Sequence, residues 1–268
     1  MKKNTMMKNA IEQAWALKQE SARLTAFEKD VDACLALLNT GEIRVAEKKE
    51  GAWITHQWIK KAILLSFYFS KNTVIGDSES YHWFDKIPLK KPDHSYRCVP
   101  GSIVRHGSFV EPGAILMPSF VNIGAYVGSG TMVDTWVTIG SCAQIGKNCH
   151  ISDGVGIGGV LEPVQSNPVI IEDHCFIGAR SQIAEGMIIE EGAVVGMGCY
   201  LGASTKIVHR ATGKITYGRV PAYSVVVPGM LPDPHNSLAP GIACAVIVKE
   251  VDAQTRSKTS LTDLLRDI

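Results

Sequence analysis

Asp134 is the acidic side chain whose sequence position best suits chemistry. It follows the apolar Val133, at a point where several stretches of similar sequence carry glycine. A carboxylate there would point away from a corner of the fold, where it could bind a substrate ammonium or remove its proton. An ordinary turn aspartate has the same local sequence, so both interpretations stay open on the residues alone.

Two further groups of residues could bind an anionic ligand. Backbone N–H groups at the glycine-rich turn Gly158–Gly159 could contact a cofactor and stabilise an oxyanion. A cationic cluster near the end of the repeat region could bind phosphates, although such clusters are also common on solvated surfaces. Its members are Lys206, Arg210, Lys214 and Arg219.

Histidine and cysteine do not predict a metal site in this chain. His150, His174 and His209 are spaced unlike a set of zinc ligands, and a solvated histidine is the simpler interpretation. The cysteines number seven, an odd count, and no CxxC pair occurs. These features argue against a disulfide framework and a thiolate zinc site, so we expect reduced thiols and no bound metal.

An internal repeat of six residues must position these side chains. An aliphatic residue or Phe recurs at every sixth position from Ile103 to Ile157 and again from Ile171 to Ile207. Glycine often follows this apolar residue, and we expect the glycine to permit a tight turn. A small residue often lies four positions after the apolar residue. A helix of 3.6 residues per turn cannot produce this period.

A six-residue period predicts one short strand and one turn per repeat, so that three repeats close a triangular coil. Like positions then stack at the strand spacing, with Ile103, Val121, Ile139 and Ile157 in one stack. The gap between Ile157 and Ile171 leaves extra residues, which predict a loop projecting near 158–170. Such a loop often carries function.

The flanking segments predict two smaller domains around this coil. Residues 1–95 predict an α-rich domain with two helices within 9–39, a hairpin of strands 43–46 and 52–55, and a helix over 57–69. Residues 96–210 form the coil. Residues 211–268 predict a small β/α cap with strands at 216–217, 224–227 and 243–248 and a final helix over 260–267. The predicted fold class is therefore mainly β.

Composition excludes several classes of partner. The chain has 268 residues, 46% hydrophobic and 20% charged, with a formal net charge of +1. That charge provides no global field to attract nucleic acid or an anionic membrane. The N-terminus is basic and polar rather than apolar, and no run is long enough to span a bilayer. We therefore expect a cytoplasmic protein that binds neither nucleic acid nor membranes.

The sequence resembles the tetrahydrodipicolinate N-succinyltransferases over nearly its whole length. The repeats resemble those of hexapeptide-repeat acyltransferases, which implies a left-handed coil, although parallel crossovers are normally right-handed. The similar segments include N-terminal ones, which shared repeats alone would not explain. They are residues 43–48, 53–67, 117–127, 130–148, 154–163, 170–181, 217–229 and 244–256.

This resemblance implies an enzyme of diaminopimelate and lysine biosynthesis that moves succinyl from succinyl-CoA to the amino group of 2-amino-6-oxopimelate. Succinyl-CoA would be a co-substrate, with no permanently bound cofactor. The resemblance also implies a homotrimer with active sites between subunits. It places substrate-binding residues at Arg97 and Asp134, and we assign Asp134 the catalytic role. Gly158, Gly159, Lys206 and Arg219 are our candidates for binding the coenzyme.

One departure from the family pattern keeps other functions open. Gln182 stands where the family has a glutamate considered for catalysis, and an amide does not accept a proton at neutral pH. We therefore transfer no catalytic role to Gln182. An acetyl-CoA-dependent N-acetyltransferase and a non-catalytic hexapeptide-repeat scaffold remain the alternative hypotheses.

Overall fold

The computed structural model describes residues 2–76, 82–91, 94–236, 238–258 and 261–265. Its N-terminal part consists of helices packed beside a hairpin. The elements are α1 (Lys2–Ala16), α2 (Ser21–Leu24), a 3-10 turn (Thr25–Phe27), α3 (Glu28–Thr40), β1 (Ala46–Lys49), β2 (Ala52–Thr55), α4 (Gln57–Phe69), β3 (Thr73–Ile75) and β4 (Trp83–Asp85). Strands β1 and β2 pair with each other, as do β3 and β4, both antiparallel.

The helices predicted in this region are confirmed. One helix boundary and one strand boundary differ from the prediction. Helix α4 spans the residues predicted for it, and α3 ends at Gly41, whose φ of 76° forms a left-handed cap. Helix α1 begins at Lys2 rather than near residue 9. Strand β1 begins at Ala46 because the turn is confined to Glu50 and Gly51, which both have positive φ.

A coil of very short strands follows. Its strands are β5 (Arg97–Cys98), β6 (Ile103–Val104), β7 (Phe109–Val110), β8 (Ile115–Leu116), β9 (Phe120–Val121), β10 (Tyr126–Val127), β11 (Met132–Val133), β12 (Thr138–Ile139), β13 (Gln144–Ile145), β14 (His150–Ile151), β15 (Gly156–Ile157), β16 (Ile170–Ile171), β17 (Phe176–Ile177), β18 (Gln182–Ile183), β19 (Ile188–Ile189), β20 (Val194–Val195) and β21 (Tyr200–Leu201).

The coil strands form three parallel sheets, which we number in the order the chain visits them. Face 1 contains β5, β8, β11, β14, β17 and β20; face 2 contains β6, β9, β12, β15, β18 and β21; face 3 contains β7, β10, β13, β16 and β19. In most strands the second residue points inward and is fully buried, while the first faces outward. The interior is therefore a stack of aliphatic side chains whose stability comes from contacts between neighbouring coils.

The predicted phase of the repeat is wrong in the first coil. The buried residues there are Val104, Val110 and Leu116, each one position after the residue predicted to point inward. The cause is a shortened repeat, since the next inward strand residue after Leu116 is Val121, five positions on instead of six. Val104, not Ile103, therefore pairs with Val121.

The glycines that follow the inward residues allow close approach between coils. A Cβ on Gly128 would lie 2.5 Å from the carbonyl carbon of Gly146, and one on Gly140 would lie 2.2 Å from the nitrogen of Gly159. Positive φ falls instead at the third corner residue, for example Gly130 and Gly154. The glycine pattern therefore reflects packing, and the tight-turn explanation is wrong for these positions.

The lower end of the coil extends beyond the predicted boundary at residue 210. Elements there are β22 (Ile207–His209), β23 (Ile215–Thr216), β24 (Arg219–Val220), β25 (Ser224–Leu231), β26 (Ile242–Glu250), α5 (Ala253–Lys258) and α6 (Leu261–Leu264). Strand β24 continues face 3 and β25 continues face 1, after a hairpin formed by β22 and β23. Ile207 thus belongs to that hairpin instead of the regular coil.

Two packing contacts hold the flanking segments to the coil. The helical core includes Ile123 and Cys142 from the coil, and the ring of Phe109 lies against Gly41. At the other end Leu264 packs on Val194 and Val225 of face 1. Residues 260, 266 and 267 of the predicted final helix lie outside the described residues. No helix within the described ranges has the length and apolar character needed to cross a bilayer.

Candidate functional site

Asp134 lies at the corner where the chain turns from face 1 to face 2. Its N–H continues the strand ladder by donating to the carbonyl of Ile151 at 2.9 Å. Its Oδ1 accepts hydrogen bonds from the N–H of Thr135 at 2.7 Å and from the Thr135 hydroxyl at 3.3 Å. The side chain stays one-third exposed. The local turn therefore fixes the carboxylate while leaving Oδ2 open to a ligand.

Arg97 lies on the same face, two strands from Met132. Both Arg97 and Met132 pair with Ile115, so their α-carbons are about 9.6 Å apart at the usual strand spacing. The Arg97 residue is exposed, and among the described residues its guanidinium has no hydrogen-bond or ion-pair partner. Arg97 and Asp134 could therefore contact the two ends of one small ligand.

Gly158 and Gly159 lie at the other edge of face 2, where the predicted loop leaves the coil. The N–H of Gly158 donates to the carbonyl of Ile183 at 2.7 Å. That hydrogen bond continues the strand ladder, as the bond from the Gly140 N–H to the Ile157 carbonyl does, so the Gly158 N–H already has an acceptor and the contact of Gly158 with the coenzyme stays a prediction. Within the described part of the chain, the Gly159 N–H makes no such bond and keeps the role as a prediction.

Lys206 and Arg219 lie near the lower end but on different sheets. Arg219 belongs to face 3, where its guanidinium forms an ion pair with Glu190, and its side chain is half exposed. Lys206 precedes β22, in the hairpin that extends face 1. The structure therefore brings the two residues to one end of the coil, while Glu190 neutralises one of the two charges.

The three histidines considered as ligands lie apart. His150 is on face 1, His174 is at the corner between faces 3 and 1, and His209 is on β22 beside Glu250. In the described ranges no group of three or more His, Cys, Asp or Glu side chains could hold a metal ion. All seven cysteines are free thiols, and Cys98 is the exposed one.

Sequence reasoning missed a close neighbour of Asp134. The imidazole of His150 lies next to Asp134 and also stacks on Phe176, with ring centroids 5.4 Å apart. A coil of eighteen residues puts His150 in register with Met132, so the repeat length was the signal that could have found it. His150 had been considered only as a metal ligand.

Gln182 lies in the middle of face 2, in register with Gly156. Its amide covers that glycine, since a Cβ on Gly156 would lie 2.0 Å from Oε1 of Gln182. The residue is exposed and belongs to neither the Asp134 corner nor the Gly158 corner. Because Gly156 has no side chain, the amide of Gln182 has room to lie against face 2, between the Asp134 and Gly158 corners.

Two family models match parts of the chain. A model described as tetrahydrodipicolinate N-succinyltransferase N-terminal matches residues 6–69. A model described as hexapeptide repeat of succinyl-transferase matches residues 168–203. The repeat match confirms the left-handed parallel β-helix predicted for the coil.

Curated relatives match most of the chain. A 2,3,4,5-tetrahydropyridine-2,6-dicarboxylate N-succinyltransferase of Caulobacter vibrioides is 57% identical over 97% of this chain and 99% of its own length. The enzyme of the same name from Paramagnetospirillum magneticum is 56% identical over 88% of this chain and 89% of its own. A solved putative 2,3,4,5-tetrahydropyridine-2-carboxylate N-succinyltransferase from Campylobacter jejuni is 16% identical, with a TM-score of 0.42 over 82% of this chain and 62% of that one.

Proposed function

Because the chain belongs to the 2,3,4,5-tetrahydropyridine-2,6-dicarboxylate N-succinyltransferase family, we propose that it transfers succinyl from succinyl-CoA to the amino group of 2-amino-6-oxopimelate. This acceptor is the ring-opened form of tetrahydrodipicolinate, and the reaction belongs to diaminopimelate and lysine biosynthesis. The observation that supports the site assignment is that Arg97 lies on face 1, two strands from β11, and that Asp134 directly follows β11 at the corner of that face.

The two side chains suit the two ends of an amino diacid. The exposed guanidinium of Arg97 can bind an acceptor carboxylate through two parallel hydrogen bonds. The open Oδ2 of Asp134 can accept a hydrogen bond from the acceptor ammonium and then take its proton. The long side chain of Arg97 can extend toward Asp134, so a single acyclic acceptor can contact both groups.

The chemistry needs no covalent enzyme intermediate. Once Asp134 has taken the proton, the amine nitrogen attacks the thioester carbonyl and forms the new C–N bond. The negative charge that develops on the carbonyl oxygen would be stabilised by the N–H of Gly159. The new nitrogen then loses its extra proton to solvent, the C–S bond breaks with its electron pair leaving on the coenzyme A sulfur, and the neutral amide forms. Correct positioning supplies most of the rate in such a reaction.

We propose that the active enzyme is a cytoplasmic homotrimer with sites between subunits. Asp134 and Gly159 lie at opposite edges of face 2 of one chain, so a neighbouring copy would bring an acceptor site and a donor site together. Large apolar side chains exposed on this side of the coil support such packing: Trp136, Met197 and Tyr200 are each 69% exposed. The free thiols are consistent with a reducing compartment.

Release of free thiol tests the proposed reaction. Purified protein given succinyl-CoA and the acceptor should release coenzyme A continuously, beyond the fixed thiol content of the protein itself. Brisk release with acetyl-CoA and none with succinyl-CoA would instead identify an acetyltransferase, since no described contact distinguishes the two acyl groups. Absence of release with either donor would favour the non-catalytic scaffold.

Asp134→Ala tests whether Asp134 takes part in the reaction. We expect kcat/KM for the acceptor to fall by about a hundredfold, the usual size of a lost general base. A variant as fast as the wild type at both limiting and saturating acceptor would show that Asp134 has no such role.

A further inference from the structure

The loop that leaves the coil after Gly158 is anchored to the N-terminal helices. Residues 158–169 separate β15 from β16 and contain no helix or strand. The Thr55 hydroxyl donates to Oδ1 of Asn167 at 2.9 Å, and the Gln57 amide donates to the carbonyl of Gln165 at 3.5 Å. Leu161 packs against the helical core. The loop is thus held along its length instead of projecting freely.

The central anchor is the ammonium group of Lys60 on α4. Nζ donates to the carbonyl of Ser166 at 2.6 Å and to that of Pro163 at 3.2 Å. The Lys60 residue is 0% exposed, and it is the largest of the fully buried side chains. A lysine is almost never buried without a partner of opposite charge.

The charge of Lys60 has no such partner in the described part of the chain. The titratable group that faces it is Cys142, and burial raises the pKa of that thiol to about 12, so it is neutral at physiological pH. Two main-chain carbonyls of the loop therefore supply the contacts that compensate the charge. An aliphatic side chain would join the helical core at lower cost, so the ammonium must serve the loop.

We infer that Lys60 is a positioning residue that fixes the loop 158–169 in one conformation and thereby places Gly159 for the acyl donor. The inference rests on the proposed function, because it assumes that Gly159 contacts the donor. Charge-assisted hydrogen bonds to two carbonyls three residues apart hold the loop at both sides of its tip. The loop is then preformed, and it does not close as a lid when the donor binds.

Lys60→Met tests this role, with Lys61→Met as the matched control. Lys61 is the next residue of the same helix and loses the same charge, but its ammonium binds Glu12 instead of the loop. We expect Lys60→Met to lower kcat/KM for succinyl-CoA by about tenfold or more, because small misplacements cost large factors in rate. KM for the acceptor should stay within about twofold, and Lys61→Met should match the wild type in both constants.

Hydrogen exchange of the loop amides measures directly whether the loop keeps its conformation. Amides between residues 164 and 167 should exchange faster in Lys60→Met than in Lys61→Met at equal thermal stability. Unchanged exchange together with an unchanged kcat/KM for the donor would overturn the inference. If Lys60→Met exchanges faster but the wild type has no succinyltransferase activity, Lys60 does anchor the loop and the proposed function is wrong.

The wild type provides a second measurement if Lys60→Met does not fold. Because the loop is preformed, adding succinyl-CoA should change exchange at residues 164–167 by less than about twofold. Strong protection of those amides on donor binding would mean that the loop orders around the ligand, and the positioning role of Lys60 would be wrong.

Discussion

Nε2 of His150 lies 3.8 Å from Oδ2 of Asp134. The two residues occupy neighbouring strands of face 1, because Met132 and His150 are in register. Thr135 already donates a hydrogen bond to Oδ1 of the carboxylate, and the imidazole faces the other oxygen, Oδ2, to which we assign the acceptor amine. An imidazole in this place can orient the carboxylate and pass its proton to solvent.

Replacing His150 by Asn should therefore lower kcat by about tenfold while leaving KM for succinyl-CoA unchanged, since the effect acts through Asp134 at the acceptor. Steady-state kinetics with each substrate varied in turn would measure both constants. His174→Asn is the control, because His174 is an exposed histidine at the corner between faces 3 and 1, away from Asp134. Equal losses in the two variants would remove His150 from the site.

The repeat predicted most of the coil because its period depends on burial. An inward residue is needed once per strand, and chain geometry keeps those residues six apart wherever every corner has the same length. The period could not reveal the short corner between Leu116 and Val121. Ile103, Phe109 and Ile115 are apolar too, so the series continued through them although they lie outside the core.

The site was harder to predict than the fold. Asp134 was identifiable because it interrupts a glycine pattern, and Arg97 only through the resemblance. Contacts between distant segments had no local signal: Lys60 and the loop it anchors are separated by about a hundred residues. Two other contacts also join neighbouring coils and could not be predicted from one segment of sequence. They are the ion pair of Arg219 with Glu190 and the hydrogen bond from the Gly158 N–H to the Ile183 carbonyl.

The corrected phase can be tested by paired substitutions in β8. Leu116 is fully buried in the coil, whereas Ile115 faces outward and is partly exposed. Leu116→Ala should lower the free energy of unfolding by about 2 to 5 kcal/mol, and Ile115→Ala should lower it by less, about 1 kcal/mol. Denaturant unfolding of both variants measures the difference. The reverse order would restore the phase first predicted from the sequence.

Thiol reactivity should single out Cys98. Burial raises the pKa of Cys34, Cys142 and Cys199 to about 12, so these groups are protonated and also shielded from reagents. Titration of the native protein with a chromogenic disulfide should give one fast thiol, followed by the others only on unfolding. The fast phase should disappear in Cys98→Ser. Several fast thiols in the wild type would mean that the coil opens readily.

Glu172 should make the docking of the β1–β2 hairpin depend on pH. Burial alone would raise the pKa of its carboxyl, but hydrogen bonds from Lys48 and Trp53, both 2.7 Å, outweigh it and hold the pKa below the ordinary value. The N–H of Glu191 donates to the other oxygen at 3.2 Å. Lys48 contributes most to the lowered pKa, although its side chain is half exposed and solvent screens part of the ion pair; the N–H groups of Trp53 and Glu191 contribute the rest.

A lowered folded pKa stabilises the protein above the unfolded value of 4.5 and loses that contribution as the pH falls through the folded value. Glu172→Gln should therefore be less stable than the wild type by about 2 kcal/mol near neutral pH. That gap should stay constant down to the unfolded value and narrow below it. Denaturant unfolding across this range measures it, with Glu50→Gln in the exposed hairpin turn as the control. A gap that widens toward acid pH would contradict the assigned hydrogen bonds.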